Sequence, residues 1–116
     1  MSKRNIIQLS EFDITQKIIE SLSNVCTRSV LFSVKNESKG VPQIADELKI
    51  SLSTVYKTLS TLEDLALVEI DRYVISPEGK KIKLYRSRIG KVEITLDDMV
   101  PTLILHPNTS NSKTSN

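Results

Sequence analysis

The sequence predicts an α+β fold, mainly α: a three-helix core carrying a basic β-hairpin, followed by a short C-terminal strand or helix. Three observations lead there. Apolar residues recur at helical spacing as far as Leu67 and at every second position from Val68 onward, so the period changes once along the chain. The 116 residues suit a single domain, and a composition of 39% hydrophobic and 26% charged residues provides for a packed core. The net charge of +2 says little by itself, but Lys80, Lys81, Lys83, Arg86, Arg88 and Lys91 follow one another with no acid between them.

Residues 1–10 read as an N-terminal arm with Lys3 and Arg4. Ser10 to Asp13 resembles a capping box with Asp in the Glu position, and Phe12, Ile18, Ile19 and Leu22 follow at helical spacing, so a helix is expected over about 11–23. Residues 29–34 are β-branched enough for a strand. Val30, Leu31 and Val34 also share a helical face that Asn24 or Thr27 would cap, and a helix over about 26–36 is the reading adopted. Gly40 breaks the chain, and Pro42 suits the first turn of the next helix, where its missing N–H has no partner to lose. Ile44, Ala45 and Leu48 form that helix's inner face, and Ile50-Ser51 makes a tight connection.

Ser51 is a good N-cap for a helix over about 52–66. On a helical wheel Val55, Leu59, Leu62 and Ala66 cluster, with Leu52 and Leu65 near the edges. Ser53, Lys57, Ser60 and Asp64 point the opposite way, and Thr54 and Tyr56 flank. The exposed face is unusual. Between Ser51 and Thr61 it carries small hydroxyls where Glu or Lys would be better helix formers, which suits close approach to a groove. Alternation then marks strands around a Ser76–Lys80 turn with Pro77 and Gly79, giving a hairpin with a basic tip and returning arm. Ile89-Gly90 ends it, Val92, Ile94 and Leu96 alternate again, and residues 97–105 fit either a short helix or an extended packing segment. Residues 106–116 read as a disordered polar tail, which leaves 11–96 as the domain.

The composition excludes several classes. Cys26 is the only cysteine and His106 the only histidine, so neither an internal disulfide nor a Cys/His metal site is available, and Cys26 is expected to be a small buried hydrophobe. A Ser/His/Asp set lacks an ordered histidine, and Gly40, Gly79 and Gly90 make no phosphate loop, so neither an enzyme nor a cofactor is expected. No apolar run reaches transmembrane length and the first residues lack the apolar stretch of a signal peptide, so a cytoplasmic protein without membrane partners is expected.

The order of helices, tight turn, helix and basic hairpin is that of a winged helix-turn-helix. The stretch IADELKISLSTVYKTLSTLEDLALVE closely resembles this motif in arsenic-repressor-like transcriptional regulators. NVCTRSVLFSV resembles the helix that precedes it there, and GKKIKLYRS their returning wing strand. TVYKTLSTLEDLALV is also similar to the recognition helix of ferric uptake regulators. The resemblance implies a regulator that binds double-stranded DNA, with Ser51, Ser53, Thr54, Tyr56, Lys57 and Thr58 facing the major groove. Lys57 would meet a guanine edge or a phosphate, and Tyr56 a phosphate unless it is core. The basic arm adds Lys80, Lys81, Lys83 and Arg86 as phosphate contacts over a wing of 68–88. The metal-binding Cys and His residues of the metal-sensing members have no counterpart here, and Ala66 stands where a Gly commonly closes the recognition helix. A homodimer is expected, because one recognition helix reads few base pairs. The first helix and the C-terminal segment would supply the apolar interface. The competing reading is a winged helix used for protein–protein contact in a transcription assembly.

Overall fold

The computed structural model describes residues 3–109, with side chains from Asp13 onward. Four helices, α1 (Lys3–Ser23), α2 (Val25–Ser33), α3 (Val41–Leu48) and α4 (Leu52–Asp64), precede four strands, β1 (Val68–Ile75), β2 (Lys81–Ser87), β3 (Ile89–Thr95) and β4 (Thr102–Pro107). The strands form two separate antiparallel hairpins, β1-β2 and β3-β4.

The first helix starts at Lys3 rather than near residue 11, so most of the expected arm is helical backbone. Ile18 and Leu22, expected to be spare surface for a partner, are each 4% exposed and belong to this chain's own core. Phe12, placed on the same face, lies outside the described side chains. Asn24 caps α2 by accepting from the Thr27 N–H at 3.1 Å, and α2 stops at Ser33, short of 36. Cys26 is half-buried rather than buried. No described helix is long and apolar enough to cross a membrane.

Val30, Leu31 and Val34 of the α2 region meet Ile44 of α3 and Val55, Leu59 and Leu62 of α4 in a dry aliphatic centre. Pro42 lies in the first turn of α3. That helix ends on Lys49 in the left-handed region, at φ 60°, where Ala45 O accepts from the Ile50 N–H at 3.1 Å. The reversal delivers Ser51 as the N-cap of α4.

The other end of α4 closes in the same way. Ala66 adopts φ 61°, and the N–H groups of Ala66 and Leu67 donate to Glu63 O and Leu62 O, both at 2.9 Å. This is a Schellman closure with alanine in the position that glycine usually takes. The inner stripe predicted through Ala66 therefore stops at Leu62 and Leu65, and Ala66 itself is exposed.

Beyond Ala66 the chain runs straight into β1. The first hairpin has a bulge between Ile70 and Arg72, and its turn falls at Ser76–Lys80 as expected, with Gly79 at φ 86°. A short bridge attaches β2 to the segment before α3: Lys39 and Tyr85 exchange N–H···O bonds of 3.1 and 2.8 Å. The next residue must be small, since a Cβ on Gly40 would stand 2.9 Å from Ile82 Cγ2.

Residues 97–105 contain bends and then strand rather than helix, and the supposed tail is ordered through Thr109. Asn108 is the reason. Its Nδ2 donates to Lys35 O and Ser87 O at 2.8 and 2.9 Å, and its N–H to Arg88 O at 2.8 Å. The rest of the expected tail lies outside the described residues.

Replacing Ala66 by Gly should stabilise the domain by about 1 kcal/mol, because the left-handed conformation penalises a Cβ. Thermal melts check this. The opposite sign is expected for Ala45→Gly inside α3, where glycine lowers helix stability by about 1 kcal/mol before any loss of packing.

Candidate nucleic-acid interface

The cap of α4 is a small hydroxyl network. Ser51 Oγ accepts from the Thr54 N–H at 3.1 Å and donates to Thr54 Oγ1 at 2.8 Å, with Ser53 Oγ 3.2 Å away. The helix is thereby started without a charged side chain, and its first turn presents hydroxyls and N–H groups outward. Ser53, Thr54 and Lys57 are exposed, and Thr58 is half-buried. Tyr56, which the wheel puts between core and surface, is 60% exposed. Val55, Leu59 and Leu62 fix the opposite face in the core, so the orientation of the hydroxyl face is set by burial.

The first hairpin approaches α4 at Tyr56. Directly opposed residues of an antiparallel pair share a side of the sheet, and successive residues alternate. Tyr73 pairs with Lys83 and Ile75 with Lys81, so these four side chains lie on one side together with Tyr85. Tyr85 is buried against the core, whereas Lys81 and Lys83, further out along β2, are exposed. Lys81 Nζ lies 4.6 Å from the centre of the Tyr73 ring, a cation–π contact that holds the ammonium on the hairpin while leaving it available. Tyr56, Val41 and Pro42 on one side and Lys80, Lys81 and Lys83 on the other enclose a groove of about 510 Å³.

Charge is arranged to suit an anion. Lys17, Lys39, Arg72 and Lys91 are each paired with a carboxylate. Lys57, Lys80, Lys81 and Lys83 form no such pair among the described residues. Glu78 also lines the groove and offsets part of its positive charge. The acids Glu63 and Asp64 are exposed at the far end of α4. Away from the groove, Lys39 donates to Glu47 at 2.6 Å and holds that carboxyl below its ordinary pKa, which ties the bridge residue to α3.

One expected contact residue is misplaced. Arg86 is 5% exposed and sits where β2 enters the core, so it is not a surface phosphate contact. The basic run is thus not one stripe. Lys91 belongs to the second hairpin, where it faces Glu93 at 3.8 Å. Sequence reasoning misses Tyr73. The strand register that sets it opposite Lys83 is what reveals it, and that register includes a bulge that the alternation does not show.

A helix-turn-helix with an outward second helix and a basic hairpin at its side is a winged helix domain. Over 66 residues the chain is 35% identical to an uncharacterized HTH-type transcriptional regulator of Methanocaldococcus jannaschii, a match covering 57% of this chain and 70% of that protein. The chain belongs to the HTH-type transcriptional regulators. No protein-family model matches it.

Arg86→Ala should lower stability by about 1–3 kcal/mol, the range for leaving buried partners unsatisfied. Ser51→Ala, which removes the α4 cap, should cost about 1 kcal/mol. Urea titrations of both variants measure this, and an Arg86→Ala protein as stable as the parent would return Arg86 to the surface.

Proposed function

We propose that the protein binds duplex DNA sequence-specifically and regulates transcription as a homodimer, with α4 in the major groove and the β1-β2 hairpin on the phosphate backbone. The observation that carries this reading is a groove in which Tyr56 of α4, the helix that exposes Ser53, Thr54 and Lys57, faces hairpin lysines left without carboxylate partners. Ser53, Thr54, Lys57 and Thr58 lie along the base edges and the nearer phosphates in this reading. Lys80, Lys81 and Lys83 bind phosphates across the groove, with Tyr56 between the two sets. Ser51 serves mainly as the cap that points the first-turn N–H groups at a phosphate. Glu63 and Asp64 keep the C-terminal end of α4 out of the groove. Among HTH-type regulators we infer a place near the arsenic-repressor-like branch, on the stretch IADELKISLSTVYKTLSTLEDLALVE, and metal sensing is not part of the proposal. The dimer supplies the second recognition helix that operator-length specificity requires, about 34 Å from the first.

Selection from random duplexes identifies the operator, and anisotropy titrations then test the contacts. Ser53→Glu and Lys57→Glu should each abolish binding with an unchanged far-UV CD spectrum. Unaltered affinity in both would remove α4 from the groove. The triple variant Lys80→Ala, Lys81→Ala, Lys83→Ala should weaken binding to every duplex alike. It should also flatten the slope of log K against log salt by up to about three, at roughly 0.9 for each lost phosphate contact. A salt-independent interaction would favour a protein partner instead.

A further inference from the structure

The second hairpin leaves an edge strand with one side unused. β4 pairs with β3, and among the described residues no other strand joins that sheet. Proteins guard such edges with charged side chains, lysine above all, because an open row of N–H and C=O groups recruits another strand. Thr102-Leu103-Ile104-Leu105 carries no charge, and the neighbouring His106 is already engaged with Glu93. Leu103 and Leu105 pack towards the core beside Val92. Ile104 lies on the other side of the sheet and is 46% exposed.

Two identical strands side by side and antiparallel are related by a two-fold axis, so the same edge can serve both copies. The sequence limits the register. Pro101 precedes the strand and Pro107 ends it, and a proline has no N–H to contribute to a ladder. Centring the pair on Ile104 sets Ile104 opposite its own copy, Leu103 opposite Leu105 and Thr102 opposite His106. The prolines then meet each other at the ends of the ladder. A shift of one or two residues brings a proline opposite one of residues 102–106, which have N–H groups to pair. No like charges meet in this register.

We propose that β4 is the dimerisation edge: two copies join β4 to β4, antiparallel about Ile104, into one sheet that crosses the dimer axis. The inference rests on the homodimer proposed above and names its surface, in place of the first-helix face whose Ile18 and Leu22 are used internally.

The test uses the full chain with Cys26→Ser. Under oxidised glutathione, Ile104→Cys should give a covalent dimer that dithiothreitol reverses. It should form about tenfold or more faster than from Thr102→Cys or Val25→Cys, because only residue 104 faces its own copy at disulfide distance. In the parent, sedimentation equilibrium should show a dimer, and Ile104→Lys should raise its dissociation constant about tenfold or more by setting like charges side by side. Equal cross-linking at all three sites, or a dimer undisturbed by Ile104→Lys, overturns the β4 edge while leaving the homodimer in place. A parent that sediments as a monomer overturns both.

Discussion

Helix α4 stops because Ala66 leaves the right-handed region of backbone space, and the placement of the hairpin depends on that reversal. At φ 61° the chain turns back on itself, Leu67 N–H closes onto Leu62 O, and Leu67 is driven into the core. Leu67 O then accepts from Arg88 N–H at 2.9 Å, which joins the end of α4 to the junction between the two hairpins. From this knot the first hairpin extends so that its turn shares a groove with Tyr56 of α4. Had the helix run on through Ala66, Val68 would leave in another direction and the lysines would not share a groove with Tyr56. An alanine tolerates the position because its side chain meets solvent and the two closing hydrogen bonds offset the strain.

The candidate interface shows how a nearly neutral protein presents a positive surface. Away from the groove, four carboxylates among the described residues face a basic side chain: Asp13 with Lys17, Glu47 with Lys39, Asp71 with Arg72, and Glu93 with Lys91 and His106. The lysines around the groove have no such partner among the described residues and keep their full charge. Exposed ion pairs contribute little to stability. Their larger effect is on the field, since they neutralise Lys17, Lys39, Arg72 and Lys91 while the groove lysines keep their charge. The hydroxyls of α4 serve the same end by shape, giving up helix propensity for a low profile.

The second hairpin is held by fewer and more specific contacts. Val92, Leu103 and Leu105 pack on the core, but Asn108 fastens the end of β4 to both the α2 exit and the hairpin junction. Ser87, buried between the hairpins, donates its N–H to Val34 O at 3.0 Å, and its hydroxyl both donates to Ile89 O and accepts from Ile89 N–H. Asn108 joins segments far apart in sequence through part-buried bonds, whereas the Ser87 hydroxyl bonds are buried, so losing them leaves a buried group unsatisfied.

Periodicity by itself determined the helix-turn-helix and the first hairpin, because burial on one face imposes a 3.6-residue repeat on a helix and a two-residue repeat on a strand. Val55, Leu59 and Leu62 are buried and Ser53 and Lys57 exposed, as the wheel requires. Caps were equally legible at Asn24 and Ser51, where one side chain and one nearby N–H decide the outcome. Arg86 was not legible. A basic residue in a basic run looks exposed until the fold brings the core up to that end of β2. The first helix could not be assigned an outer face either, since whether Ile18 and Leu22 meet this chain or another depends on where α2 packs. The order of residues 97–109 turned on Asn108, a polar residue in a polar stretch whose carbonyl partners lie on Lys35 and Ser87. Local sequence carries the repeat and the caps, but contacts between distant segments decide which polar residues are buried, and only the tertiary structure brings those segments together.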